Sequence, residues 1–261
     1  RIREVLSNSE IKASHEECER VQDSYSFRCV PQVHGPVIDM LREARRILSI
    51  EINSATDNPL VFSDGDGSIL SGGNFHGQYI ALSSDGLAVA CHEIASISER
   101  RIAQILDPQW SNQKPFLAIN EGLGSGLMIV QYASAAIVSE LHMMASPATT
   151  SNVPVSMGKE DHVSMGATGA HRSMKSSRYL AQVIANELIC STEALDRISE
   201  TPGHGVSKVH TWVRQIVAPL TTDRPMSNDS ITLSEALLSG GITEVFGGQM
   251  QEKMHMTQHP G

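Results

Sequence analysis

Apolar residues recur every three or four positions along five stretches of this 261-residue chain, and this spacing restricts its fold more than any other feature. Such a spacing places side chains on one face of an α-helix. The five stripes cover residues 37–48, 87–105, 127–141, 180–198 and 206–220. Small residues, which let helices approach closely, interrupt them at Ala44, Cys91, Ser98, Ser134 and Ser191. The pattern predicts an all-α fold, a bundle of long helices.

Three segments lack this spacing and hold polar, Gly and Pro residues: 53–79, 107–126 and 146–170. We expect them to be loop insertions that carry any functional site. No long stretch alternates apolar and polar residues, and residues 58–62 are the best candidate for a short strand. Aromatic residues make up only 4% of the chain, so the core must be aliphatic.

Charge and short motifs exclude several classes of function. The formal net charge of −9 argues against a nucleic-acid binder, which normally shows a basic patch. Neither HExxH nor a zinc-type Cys/His spacing occurs, and there is no phosphate-binding glycine loop, so we expect no metal and no nucleotide.

Cysteine usage and hydropathy indicate a compartment. Four cysteines without a CxxC spacing favour free thiols in a reducing, cytoplasmic location. We expect that no apolar run approaches the length needed to span a membrane, and the chain does not begin with the pattern of a secretory signal. A first residue other than Met suggests a fragment of a longer protein.

The first candidate cluster lies in residues 21–36. If residues 22–29 are helical, Gln22, Tyr25 and Arg28 share one face. An amide, a phenol and a guanidinium pointing the same way could grip a carboxylate and order a site. The helix should stop at Val30, because the residue before a proline favours extended geometry. A solvated surface helix is the alternative interpretation.

Two further clusters lie in the predicted loops. Residues 71–78 (SGGNFHGQ) put Phe75 in a polar, glycine-rich turn, which suggests a ring that lines a pocket. Residues 156–166 place a carboxylate beside an imidazole, which suits acid/base work or the binding of a basic ring. Their ionisable residues are Lys159, Glu160, Asp161 and His162. The alternatives are an ordinary turn for the first and a helix N-terminus for the second.

Six uncommon strings occur in order and at compatible spacing, and together they resemble the aromatic amino-acid ammonia-lyases, most of all the histidine branch. They are VQDSYSFRCVPQVHG, INSATDNPLVF, SGGNFHGQ, ISERRI, GLGSGLMI and EDHVSMG. The resemblance covers about residues 10–200. It implies a long-helix bundle, a homotetramer, and an electrophile, 4-methylideneimidazol-5-one (MIO), formed from an internal Ala-Ser-Gly. For histidine, the product would be urocanate.

The resemblance also implies roles for particular residues. Arg28 would grip the substrate carboxylate, while Tyr25 and Gln22 would order the site around the MIO. Phe75 would pack against the MIO, and Glu160 would meet the substrate imidazole. Met128 stands where plant phenylalanine lyases carry Lys, which favours the histidine branch.

Departures from the family pattern lead to further expectations. No Ala-Ser-Gly occurs in the 261 residues, so we predict that this chain alone is inactive. Ser24 stands where the family usually has Pro or Ala, and Gly124 stands where it usually has Asn. Lys159 could form an ion pair with its neighbour Glu160. We expect residues 1–200 to be the C-terminal part of a lyase core and residues 201–261 to be further helices with a mobile tail. The chain would assemble with an N-terminal portion or as a homotetramer.

Three alternatives stay open at this point. An aminomutase, or a lyase acting on another aromatic amino acid, would use the same scaffold. A fumarase- or aspartase-like bundle is suggested only by the string from Ser156 to Lys159. A non-catalytic helical scaffold or regulatory fragment would explain the absent Ala-Ser-Gly, but it would not need Gln22, Tyr25, Arg28, Phe75 and Glu160.

Overall fold

The computed structural model describes residues 2–14, 21–65 and 67–247, and α-helices occupy most of them. The helices are α1 (Ile2–Val5), α2 (Glu10–Ser14), α3 (Tyr25–Arg28), α4 (Val30–Glu51), α5 (Gln78–Leu106), α6 (Pro108–Ser111), α7 (Met128–Met144), α8 (Gly166–Leu195), α9 (His204–Ile216), α10 (Ser227–Leu238) and α11 (Gly241–Val245). The prediction of an all-α bundle of long helices is confirmed. Residues 248–261, for which we predicted a mobile tail, lie outside the described residues.

The short strand predicted at residues 58–62 is present as β1 (Leu60–Phe62). It pairs antiparallel with β2 (Ser68–Leu70), so that Leu60 lies opposite Leu70. Between the strands, the Gly67 N–H donates to the Asp64 carbonyl at 3.2 Å, a turn bond that the Asp/Gly-rich sequence favours. The hairpin occupies the first of the three predicted loop insertions.

The five predicted stripes form α4, α5, α7, α8 and α9, but on α8 the buried face is not the predicted one. The predicted positions there are half-buried, whereas the neighbouring Val183, Asn186 and Cys190 are almost fully buried. Asn186 donates to the Ser134 hydroxyl at 2.9 Å and accepts from the Ser230 hydroxyl at 2.7 Å. A polar side chain whose donors and acceptors are hydrogen-bonded can be buried at little cost. A helix face that contains polar residues in the sequence can therefore lie in the interior.

The chain divides into two compact units. The first unit contains residues Arg1–Val30, Ala95–Ser139 and Arg178–Gly261, and the second contains Pro31–Ile94 and Glu140–Ser177. In the first unit, α1, α10 and α11 all pack against α9. In the second, α4 packs closely against α5. A Cβ built on Gly86 of α5 would lie only 3.3 Å from the Met40 methyl group of α4. The boundary predicted near residue 200 stays a prediction.

Helix α5 is long and apolar enough to cross a membrane, judged by length and composition alone. Our expectation that no apolar run approaches that length is therefore wrong. The helix is long and apolar enough because Ala, Ile and Leu are the most frequent apolar residues in its 29 residues. The core helix of a soluble protein passes the same test, and α5 buries Ala81, Ala95 and Ile102 completely.

The described cysteines, Cys29, Cys91 and Cys190, are free thiols, as their spacing predicted. Burial raises the pKa of the Cys91 thiol to about 11. Burial also raises the pKa of Cys190, with the charges of Glu187 and Glu193 adding to the effect. Both thiols therefore stay protonated at neutral pH, which makes them poor nucleophiles.

Candidate active site

The cluster of Gln22, Tyr25 and Arg28 lies in the first unit, but only two of the three are helical. Helix α3 begins at Tyr25, after Ser24 in extended geometry at the N-cap, so the predicted helix from residue 22 is wrong. Serine at an N-cap ends helical geometry on its N-terminal side. The Arg28 guanidinium lies over the Tyr25 ring, with 4.9 Å between its carbon and the ring centroid. Gln22 precedes this pair on exposed, irregular backbone.

After Arg28 the backbone geometry differs from our prediction, because a second helix begins almost at once. Only Cys29 separates α3 from α4, which begins at Val30. We predicted extended geometry at Val30 because Pro31 follows it. Helix α3 does end before Val30, as predicted, but the extended geometry at Val30 is wrong, because Val30 begins α4. A proline is tolerated in the first turn of a helix, since the N–H groups there have no intrahelical partner.

Helix α3 is anchored to α5 and, through α5, to α8. The Ser24 hydroxyl donates to the Gln104 side-chain oxygen at 2.7 Å, and the Gln104 amide donates to the Ser26 hydroxyl at 3.0 Å. Arg101 donates to the Ser26 carbonyl at 3.3 Å. It also forms a bidentate ion pair with Glu187, in which its Nη2 atom donates to Glu187 Oε2 at 2.9 Å. These bonds account for a serine at position 24, where the family usually carries Pro or Ala.

Met128 is the first residue of α7, and a carboxylate from a distant part of the chain holds the turn before it. Asp223 accepts the backbone N–H groups of Ser125 at 2.7 Å and Gly126 at 3.2 Å. A Cβ on Gly124 would lie 3.1 Å from both oxygens of that carboxylate. The glycine that departs from the family's usual Asn therefore leaves room for Asp223.

Phe75 lies in the second unit, and hydrogen bonds hold the residues just before it in the turn. The residue is 52% exposed. The Asn74 amide donates to the Ala55 carbonyl at 2.6 Å. The Asn58 side-chain oxygen accepts from the Ser71 hydroxyl at 3.1 Å and from the backbone N–H of Gly72 at 2.9 Å. The exposed ring is thus presented from an ordered turn.

Glu160 ends a tight turn, also in the second unit. Its backbone pairs with Val155 as an antiparallel bridge, and its carboxylate accepts from the Ser156 hydroxyl at 2.7 Å. Ser156, Met157 and Gly158 all have positive φ, and the Met157 side chain is 97% exposed. Left-handed geometry at non-glycine residues costs roughly 1–3 kcal/mol each and tends to occur at functional sites.

The alternative interpretation of residues 156–166 as a helix N-terminus is wrong, because α8 begins only at Gly166. Ser156–Gly158 forms a single 3-10 turn instead. In the part of the chain that the structure describes, Glu160 forms no ion pair with Lys159. Lys159 therefore does not neutralise the Glu160 carboxylate, to which the family resemblance assigns the contact with the substrate ring.

The structure gathers the candidate residues in two sets, one in each unit. Gln22, Tyr25, Arg28 and Met128 belong to the first unit. Phe75 and Glu160 belong to the second, on two turns joined by contacts between His76 and His162.

Sequence reasoning missed the residues that support these side chains. Asn58 carried a local signal, since an Asn-Pro pair is typical of a turn. Asp223 carried none, because its partner Ser125 is 98 positions away in the sequence.

Comparison with known proteins identifies the class. The profile of the aromatic amino acid lyase family matches residues 1–215. The chain therefore belongs to the aromatic amino acid lyase family, which confirms the resemblance and excludes a fumarase- or aspartase-like bundle.

Particular relatives are histidine ammonia-lyases. That of Myxococcus xanthus is 45% identical over 242 residues, which is 92% of this chain and 47% of the relative. That of Deinococcus radiodurans is 45% identical over 245 residues, 94% of this chain and 47% of the relative. The chain thus spans about half the length of the curated relatives it matches.

Solved structures agree on the fold. Histidine ammonia-lyase from Trypanosoma cruzi is 40% identical, with a TM-score of 0.82 over 86% of this chain and 44% of that one. Tyrosine aminomutase from Streptomyces globisporus is 31% identical, with a TM-score of 0.83 over 94% of this chain and 50% of that one. Lyases and aminomutases therefore share this architecture, as the sequence led us to expect.

Proposed function

We propose that this chain is part of an ammonia-lyase that eliminates ammonia from L-histidine to give urocanate. The similarity to histidine ammonia-lyases supports the substrate. The observation that carries the proposal is the exposure of the Arg28 guanidinium and its contact with Tyr25. Its guanidinium is exposed and rests on the Tyr25 ring, and it has no carboxylate partner within residues 2–14, 21–65 and 67–247. A cation oriented in this way is suited to bind an amino-acid carboxylate in bidentate fashion.

The other candidate residues receive roles that follow their chemistry. Tyr25 can donate or exchange a proton through its phenol, and Gln22 can hydrogen-bond neighbouring polar groups. Glu160 can accept a hydrogen bond from the substrate imidazole or balance its charge. Phe75 and Met128 can supply apolar contacts to the ring. These assignments are proposals that rest on the family resemblance and on the exposure of the side chains.

The family resemblance implies an MIO group, and the chain's own side chains fit such a group. Tyr25 is 71% exposed, and the described residues bury neither it nor Phe75. When bound, the MIO supplies an electrophile for the substrate amine. Since the 261 residues contain no Ala-Ser-Gly, we propose that another polypeptide segment contributes it, in a homotetramer or a similar assembly. The free thiols support a cytoplasmic location.

The chain by itself is expected to form no urocanate from L-histidine, because it lacks the tripeptide from which the electrophile forms. The measurement is urocanate formation by the purified 261-residue polypeptide, with a complete histidine ammonia-lyase as the positive control. Turnover by this chain alone would contradict the prediction and the proposed origin of the electrophile.

Replacing Arg28 tests the proposed function directly. In the catalytically competent assembly, Arg28→Met should lower kcat/KM for L-histidine by about 10²-fold, mostly through KM, because a charge-assisted bidentate contact is lost. Arg42→Met is the matched control, since Arg42 is an exposed arginine whose ion pair among the described residues is with Asp39 on its own helix. Unchanged affinity in Arg28→Met would remove the role assigned to Arg28.

An aminomutase on the same scaffold is the second candidate, favoured by the structural likeness to tyrosine aminomutase. The two activities differ in the fate of ammonia, which an aminomutase returns to the β-carbon. Product analysis with histidine, tyrosine and phenylalanine distinguishes them: an unsaturated acid identifies a lyase, and a β-amino acid identifies an aminomutase.

A further inference from the structure

Two histidines join the turn that carries Phe75 to residues 155–163, the Glu160 turn, which consists of the tight turn and the three residues after it. The His76 Nε2 atom lies 2.9 Å from the backbone carbonyl oxygen of His162. The two imidazole rings are stacked, with 5.4 Å between their centroids and 25° between their planes. Both histidines belong to the second unit, so this contact lies within one compact body.

The geometry specifies where the hydrogen of His76 must be. A carbonyl oxygen can only accept, so Nε2 of His76 carries the hydrogen and donates it. The Nδ1 atom of His162 faces the same His76 nitrogen at 3.4 Å. A hydrogen on that Nδ1 would point at another N–H, so Nδ1 of His162 is the unprotonated, accepting nitrogen. Neither ring can be flipped without losing one of these contacts.

The carbonyl that receives the His76 hydrogen bond is itself held in place. The Asn152 amide donates to the Asp161 carbonyl at 2.9 Å, and its oxygen accepts from the Val163 N–H at 2.8 Å. Asn152 therefore brackets His162 on both sides. A displacement of the Glu160 turn would have to break these bonds or the one from His76.

The residues that follow each of the two histidines would also be in ordinary van der Waals contact if the glycines carried a Cβ. A Cβ on Gly166 would lie 3.4 Å from the Gly77 carbonyl oxygen, and a Cβ on Gly77 would lie 3.6 Å from the Ser164 hydroxyl. Gly77 has a φ of +74°, a conformation that glycine adopts without strain. The absence of a side chain at Gly77 and Gly166 leaves room for the two segments to lie together, whereas His76 provides the directed hydrogen bond between them.

We propose that His76 is a positioning residue that fixes the Phe75 ring relative to the Glu160 carboxylate. Phe75 lies between Asn74, which is bonded to the Ala55 carbonyl, and His76, which is bonded to the Glu160 turn. Loss of the His76 side-chain bond leaves the Phe75 turn held by its own backbone bond, from the His76 N–H to the Gly73 carbonyl at 3.1 Å, and by the bonds of Asn58 and Asn74, but no longer by a directed bond to the Glu160 turn. The role in catalysis rests on the proposed function, whereas the link between the two turns does not.

Hydrogen exchange on the 261-residue chain tests the link without any activity. His76→Phe retains an aromatic ring for stacking but has no donor, and His76→Gln places an amide N–H at a similar distance from the backbone. We expect amides of residues 156–165 to exchange about threefold to tenfold faster in His76→Phe, as for the loss of one hydrogen bond. His76→Gln should restore most of the protection. His171→Gln, at an exposed position of α8, is the matched control.

Nitrogen chemical shifts of the wild-type histidines give a second measurement that needs no variant. We expect His76 to be the Nε2–H tautomer and Nδ1 of His162 to be unprotonated when both rings are neutral. The opposite tautomer at His76 would overturn the proposal. So would unchanged exchange at 156–165 in His76→Phe, or exchange in His76→Gln as fast as in His76→Phe.

Kinetics of the competent assembly separate the link from its role. We expect His76→Phe to lower kcat/KM about tenfold and His76→Gln to recover most of it. If the exchange results hold but kcat/KM does not change, His76 is only a structural link and the positioning role is overturned. A wild-type assembly that makes no urocanate would contradict the proposed function instead, and the exchange result would stand independently.

Discussion

Gly126→Ala should destabilise the chain by about 4 kcal/mol, the largest effect that we expect from a single methyl group. A Cβ on Gly126 would lie 2.4 Å from the Phe116 carbonyl oxygen and 2.8 Å from the Ala118 nitrogen. Both atoms are backbone, so no side-chain rotation can relieve the clash. Gly126 also has a φ of +52°, where an L-residue with a Cβ is strained.

The expected consequence extends to the start of α7. The Leu127 N–H donates to the same Phe116 carbonyl at 2.9 Å, and the Gly126 N–H donates to Asp223. Moving the backbone away from a new Cβ breaks one or both of these bonds. Since Met128 follows immediately, the substitution should also displace a candidate substrate-binding side chain.

Gly122→Ala is the control for backbone strain in the same loop. Gly122 has a φ of +81°, but nothing lies within 4 Å of a Cβ built on it. This variant should lose only about 1–2 kcal/mol, the cost of left-handed geometry. The measurement is the free energy of unfolding in urea for both variants. Equal losses would show that the close approach of Phe116 and Ala118 does not matter.

Arg101→Met should lower the free energy of unfolding by about 3 kcal/mol, because it leaves the Glu187 carboxylate without its cation. The two side chains are only 11% and 17% exposed. The Ser98 hydroxyl, at 2.5 Å, would be the remaining donor to that carboxylate among the described residues. Water reaches the site partially, so the loss should fall at the low end of the range for buried pairs.

The double variant Arg101→Met/Glu187→Leu separates the unpaired charge from the lost packing. Removing both charges leaves no buried carboxylate without a cation, so this variant should be more stable than Arg101→Met alone. A double variant that is as unstable as the single one would contradict the argument. Hydrogen exchange across 21–30 should increase in Arg101→Met, because Arg101 also holds the Ser26 carbonyl that anchors α3.

The sequence supported the fold well because helices are encoded locally. A spacing of three and four reports which side chains share a face, whatever lies elsewhere in the chain. Prediction was weaker where a polar residue is buried with its partners. Asn186 reads as a surface residue, and only its bonds to Ser134 and Ser230 explain its place in the interior.

Candidate site residues were found through uncommon strings, which the family resemblance assembled into one pattern. Their geometry was less accessible. The predicted helical face of Gln22, Tyr25 and Arg28 was wrong for Gln22, because Ser24 takes the N-cap position and bonds with Gln104, 80 positions away. Spacing along a helix says nothing about where tertiary bonds will end that helix.

By itself, the sequence determined that the chain forms long helices with three loop insertions, and it determined the family through strings in register. Tertiary structure alone decided how the candidate side chains are held. Arg101 and Gln104 anchor the helix of Tyr25 and Arg28, Asp223 holds the start of α7, and His76 joins the turns of Phe75 and Glu160. The physical reason is that a hydrogen bond depends on the distance between two atoms in space. Residues that are far apart along the chain leave no periodic trace of such a contact.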